Sequence, residues 1–145
     1  MKPRIDKALK DDVAHAVIKV EQRNIEKAVY GATAPRVYER RKYAGGLIAE
    51  SSFKADLVGD GELLVRNAAG PNKRYKNSLP VTADLPALIE YGDGYDDMRY
   101  NWKRADGTEW EYRQPRPFTK NAADELRAKK QHVAALKHGL GVPIV

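Results

Sequence analysis

The chain has 145 residues, no cysteine and a formal net charge of +6. That length suits one domain with a core of its own, with a radius of gyration of roughly 15 Å. The missing cysteines exclude a disulfide scaffold, a thiolate zinc site, an iron–sulfur cluster and a cysteine nucleophile, and they are compatible with a reducing cytoplasm.

No run approaches the ~20 apolar residues of a membrane span, and no apolar stretch follows the basic start Met1–Arg4, so no signal peptide is expected. Residues 4–29 form the first expected element, a long helix. Ile5, Leu9, Val13, Ala16, Val17, Val20 and Ala28 recur at the 3–4 spacing of one stripe. Pro3 suits a first helical turn, and Gly31 and Pro35 end the pattern. The segment Val37–Gly46 is polar, basic and aromatic and reads as a loop or arm.

Residues 47–67 read as a β-hairpin. Phe53, Ala55 and Leu57 alternate on one arm and Leu63 and Val65 on the other, around Gly59-Asp60-Gly61. A three-residue loop opposes Leu57 to Leu63 and Ala55 to Val65 and puts all five apolar side chains on one face. A two-residue loop would split them between faces. Burial therefore selects the first register, with Gly61 left-handed. Residues 68–80 carry Gly, Pro, Asn and Ser together and read as a loop.

Apolar character returns at residues 87–92, read as a short strand over Leu88–Tyr91 stopped by Gly92-Asp93-Gly94. Residues 98–113 form a second hairpin signal. Tyr100 and Trp102 face Trp110 and Tyr112 across Ala105-Asp106-Gly107, making aromatic cross-strand pairs worth up to ~1 kcal/mol each. Such a ribbon needs the domain body, a ligand or another subunit against its aromatic face. Residues 119–138 form the last element, a helix capped by Thr119 or Asn121. Asp124 and Glu125 lie in its first turn, Ala122, Leu126, Val133 and Leu136 form its stripe, and Gly139 is its stop. The order α, hairpin, strand, hairpin, α specifies an α+β domain with a small antiparallel sheet and the C-terminal helix packed on it.

Charge is unevenly laid out. The first 50 residues hold 11 basic and 7 acidic side chains, the next 50 hold 6 and 8, and the last 45 hold 9 and 5. Two +4 ends thus flank a −2 middle. Arg40, Arg41 and Lys42 lie among Tyr38 and Tyr43, and Lys73, Arg74 and Lys76 surround Tyr75. Basic side chains interleaved with aromatics suit phosphate neutralisation with base stacking, or an acidic partner surface. No sequence-reading motif accompanies them.

Catalytic patterns are missing from the sequence. His15, His132 and His138 sit apart, and there is no HExxH, GxSxG, GxGxxG or P-loop. Asp11-Asp12 diverge on a helix, and Asp93, Asp96 and Asp97 lack the order of a calcium loop. No enzyme activity, cofactor or metal is expected.

The ordered elements, with Glu90-Tyr91-Gly92 and with Pro117-Phe118 opening the last helix, resemble the tail-completion or neck proteins of long-tailed bacteriophages, also described as minor tail components or head–tail joining proteins. In that family a Glu-Tyr-Gly motif and a Pro-Phe motif before the last helix recur. The resemblance implies a non-enzymatic virion protein at the neck, assembled in the host cytoplasm. It implies a self-associated ring, typically a hexamer, between a head-side connector and a tail terminator or tail-tube protein, around the DNA channel. On this reading Gly92 permits a positive φ, and Tyr91 and Phe118 anchor the last helix to the sheet. Tyr100, Trp102, Trp110 and Tyr112 become candidate subunit or tail contacts. Arg40, Arg41, Lys42, Lys73, Arg74 and Lys76 become candidates for contact with DNA or an acidic partner. A non-sequence-specific nucleic-acid-binding module is the alternative reading, with a toxin-like ribonuclease behind it.

Overall fold

A computed structural model describes residues 2–31, 45–70, 85–91 and 115–143. Helical backbone runs without a break through α1 (Lys2–Ala8), a π turn (Leu9–Val13), α2 (Ala14–Ile25) and a second π turn (Glu26–Tyr30). The apolar stripe accounts for this helix. Leu9, Val13, Val20, Ile25 and Val29 are buried, while Lys7, Asp11, His15, Lys19, Arg23 and Lys27 face outward. The π turns are not visible in the periodicity. Each closes its hydrogen-bonded loops over one more residue than an α turn and so shifts the stripe locally. The second ends where the Gly31 N–H donates to the Glu26 carbonyl at 2.6 Å. A Cβ at Gly31 would stand 2.9 Å from that same oxygen, so the glycine suits the tight closure.

The expected hairpin begins six residues later than residue 47. Leu47, Ile48 and Ala49 are buried in a turn, followed by a single 3₁₀ turn at Glu50–Ser52. Side chains satisfy this buried backbone. Asn67 Nδ2 donates to the Leu47 carbonyl at 2.6 Å, Gln22 Nε2 to that of Ile48 at 2.9 Å, and Ser52 Oγ to that of Gly46 at 2.7 Å. Strands β1 (Phe53–Gly59) and β2 (Glu62–Asn67) then pair antiparallel, with Ala55 opposite Val65 and Leu57 opposite Leu63. This is the register that burial selects, and Gly61 takes φ +70°. The loop itself differs from the expected three residues. Gly59 pairs with Glu62, and the ladder is irregular between Leu57 and Gly59. Val58 is the residue that irregularity displaces, and a bulge there shortens the loop without slipping the register. The inner face is not uniformly covered: Phe53 is buried at the base, and Leu57 is 37 % exposed near the tip.

Residues 85–91 correct the expected strand. They form a helix, α3 (Leu85–Tyr91). The C-terminal helix is also two helices, α4 (Phe118–Lys129) and α5 (Gln131–Leu140). Lys130 breaks them with a left-handed backbone, φ 54° and ψ 34°. The stop is Gly141 rather than Gly139. Gly141 has φ +70°, and the Val142 N–H returns to the Lys137 carbonyl at 2.8 Å. Gly139 instead lies within α5 at a close helix crossing, where a Cβ would come within 2.7 Å of the Ala8 Cβ.

The fold is α+β, and the N-terminal helix is its common partner. α4 packs along α2, α5 packs on α1 and the first π turn, and the hairpin meets that same π turn and α2. The C-terminal helices therefore lie chiefly on the long helix and not on the sheet. One apolar cluster unites the pieces through Ile25, Val29, Leu47, Ile48, Phe53, Ala69, Ile89 and Phe118.

Candidate functional site

The two motif segments meet at the start of α4. Pro117 precedes that helix and has no side-chain oxygen or nitrogen with which to cap it. The cap comes instead from the last turn of α3. The Thr119 N–H donates to Glu90 Oε2 at 2.8 Å, and the Lys120 N–H donates to Glu90 Oε1 at 2.9 Å. One carboxylate thus satisfies two of the four amides that a helix start leaves open, and its charge sits at the positive end of the helix dipole. A third bond closes the junction, from the Arg116 N–H to the Ile89 carbonyl at 2.9 Å. Glu90 and Arg116 are both buried, and Phe118 beside them is fully so.

The sequence-based capping assignment changes accordingly. The Asn121 N–H donates to the Pro117 carbonyl at 2.9 Å, and neither Thr119 nor Asn121 caps through its side chain. Thr119 Oγ1 points instead to Glu21 Oε1 on α2, 3.4 Å away. Glu21 is 5 % exposed, and burial pushes its carboxyl up to about 7, against the Thr119 hydrogen bond and with the help of the Glu90 charge. A turn further along, Glu125 gathers donors. Arg23 reaches it at 2.7 Å, Asn24 at 3.0 Å and Gln131 at 3.1 Å. Arg23 first, then Asn24, holds the Glu125 carboxyl down to about 2. Asp124 and Glu125 lie beyond the first turn, and Asp124 pairs with Lys120 and Arg127.

Of the residues singled out in the sequence, Glu90, Pro117 and Phe118 come together here. Tyr91, next to Glu90, is 58 % exposed. Gly92, the aromatic set Tyr100, Trp102, Trp110 and Tyr112, and the basic set Arg40, Arg41, Lys42, Lys73, Arg74 and Lys76 lie outside the described residues. Glu21 and Asn24 escaped sequence reading although a signal was present. Both sit on the apolar stripe between Val20 and Ile25, and a polar side chain at a stripe position needs a buried partner. Among the described residues no group of three or more His, Cys, Asp or Glu converges as a metal site, and no helix is long and apolar enough to cross a membrane.

Residues 1–141 match the family model named YomN, nearly the whole chain. The chain belongs to the YomN family. YomN is a phage-derived family from a Bacillus prophage, so this YomN chain is phage-related. No curated protein and no solved structure gives a match to it.

Proposed function

We propose that the protein is a non-enzymatic virion component that works at the head–tail junction of a long-tailed phage, as a ring-forming tail-completion or neck subunit. The observation that carries this reading is the Glu90 cap on α4. The two short motifs behind the resemblance to tail-completion proteins are 26 residues apart from Glu90 to Arg116, yet their flanks form one hydrogen-bonded junction. A junction that joins Glu90 of the first motif to the residues around Pro117-Phe118 supports the resemblance. Membership in a phage-derived family supports it further.

On this reading the partners are further copies of the chain in a ring, typically six, a head-side connector, and a tail terminator or tail-tube protein. A ring of identical subunits joins two different patches of each copy. Basic loops at a channel wall would touch DNA through phosphates alone, without reading its sequence. The test is deletion of the gene from the phage or induced prophage, with electron microscopy of the lysate. Filled heads and separate tails that fail to join, restored by the gene in trans, are expected. Normal, infectious joined particles would reject the proposal.

A further inference from the structure

We propose that the buried carboxyl groups of Glu21 and Glu90 form a protonation-sensitive latch: with a proton on Glu21 they bind α2, α3 and α4 together, and loss of that proton loosens the α3–α4 junction. The geometry has three parts. Glu21 and Glu90 are both more than nine-tenths buried as residues. Both address the same residue, Glu90 through the Thr119 N–H and Glu21 through Thr119 Oγ1. Each oxygen of Glu90 accepts a backbone N–H.

Glu21, which meets a hydroxyl able to donate or accept, is the member that carries the proton. Ionising it would bury a second negative charge beside the first, which both desolvation and like-charge repulsion oppose. Its proton affinity is set accordingly, with half-ionisation at about pH 7. Among the described residues the groups acting on Glu21 are Thr119 and Glu90, and neither is a cation. The other polar groups described around it have their own partners. From α2, Gln22 bonds to the Ile48 carbonyl, Asn24 to the Val20 carbonyl and Glu125, and Arg23 to Glu125. From the segment before α4 comes Arg116, a buried cation whose backbone N–H bonds to the Ile89 carbonyl. From α4, Lys120 Nζ pairs with Asp124 at 2.8 Å.

The latch is tested by hydrogen exchange at the Thr119 and Lys120 amides, corrected for intrinsic rates, in the wild type and in Glu21→Gln. Between about pH 6 and about pH 8, protection in the wild type is expected to fall roughly tenfold, and in the variant to stay level. An equal fall in both proteins would overturn the proposal. If the variant does not fold, the side-chain carboxyl carbon of Glu21, followed by NMR in the wild type, decides the matter. A midpoint near 7 supports the latch, and one near the ordinary 4.5 ends it.

Discussion

A carboxylate that caps a helix from another part of the chain does more than complete hydrogen bonds, because it fixes where two segments meet. Glu90 does this for α4, through amides 29 and 30 residues away. Replacing a capping side chain by Ala costs ~1 kcal/mol on average and up to about 2. Because both Glu90 oxygens are used and the group is buried, Glu90→Ala is expected at the upper end, about 2 kcal/mol. Equilibrium urea unfolding measures it, and Glu90→Gln, which keeps one acceptor oxygen, should lose less. The sequence carried the identity of this residue but not its role. Glu90 stood out only as part of a motif, and its partners are backbone amides, which no side-chain pattern announces. Phe118 was readable as an anchor because an apolar residue at a helix start has few other uses. Tyr91, equally aromatic, stands mostly in solvent.

At the level of elements, local chemistry and tertiary packing share the decisions unequally. The hairpin register followed from two local facts, five apolar residues that must share a face and a glycine free to turn left-handed, and it is the register observed. The strand expected over Leu88–Tyr91 is instead the end of a helix, because a short apolar run with Ile and Tyr fits either structure and the dock against α4 decides between them. The break at Lys130 was invisible for a different reason. No Gly or Pro marks it, and a lysine takes φ 54° because α4 and α5 each have a separate partner along the N-terminal helix. A left-handed lysine is strained by about 1 kcal/mol relative to glycine. Lys130→Gly is therefore expected to raise the unfolding free energy by roughly 0.5–1 kcal/mol with the fold unchanged. A rise in the thermal midpoint checks it.

The whole molecule inherits opposing pH dependences from two carboxyl groups on neighbouring helices. Glu125 is held down to about 2, so its contribution is present above 4.5 and is lost as pH falls towards 2. Glu21 is pushed up to about 7, so its contribution is full below 4.5 and is lost as pH rises through 7. Between them, these two groups favour the folded state most near pH 4.5, below neutrality. Calorimetric midpoints across the acid and neutral range should show that preference, and Glu21→Gln should flatten its alkaline side. The α+β class was legible from the order of elements, whereas the central place of the long helix was not, since amphipathicity shows that a face is covered without showing by what. That helix has a consequence for how the chain is made. Its closing partners stand at the other end of the sequence, as when the Arg4 guanidinium reaches the Leu140 carbonyl at 2.9 Å. A ribosome adding roughly 5–20 residues per second needs several seconds or more between finishing the helix and delivering α4 and α5. Throughout that interval Leu9, Val13, Val20 and Ile25 have no C-terminal cover, and the nascent chain carries an amphipathic helix for chaperones to hold.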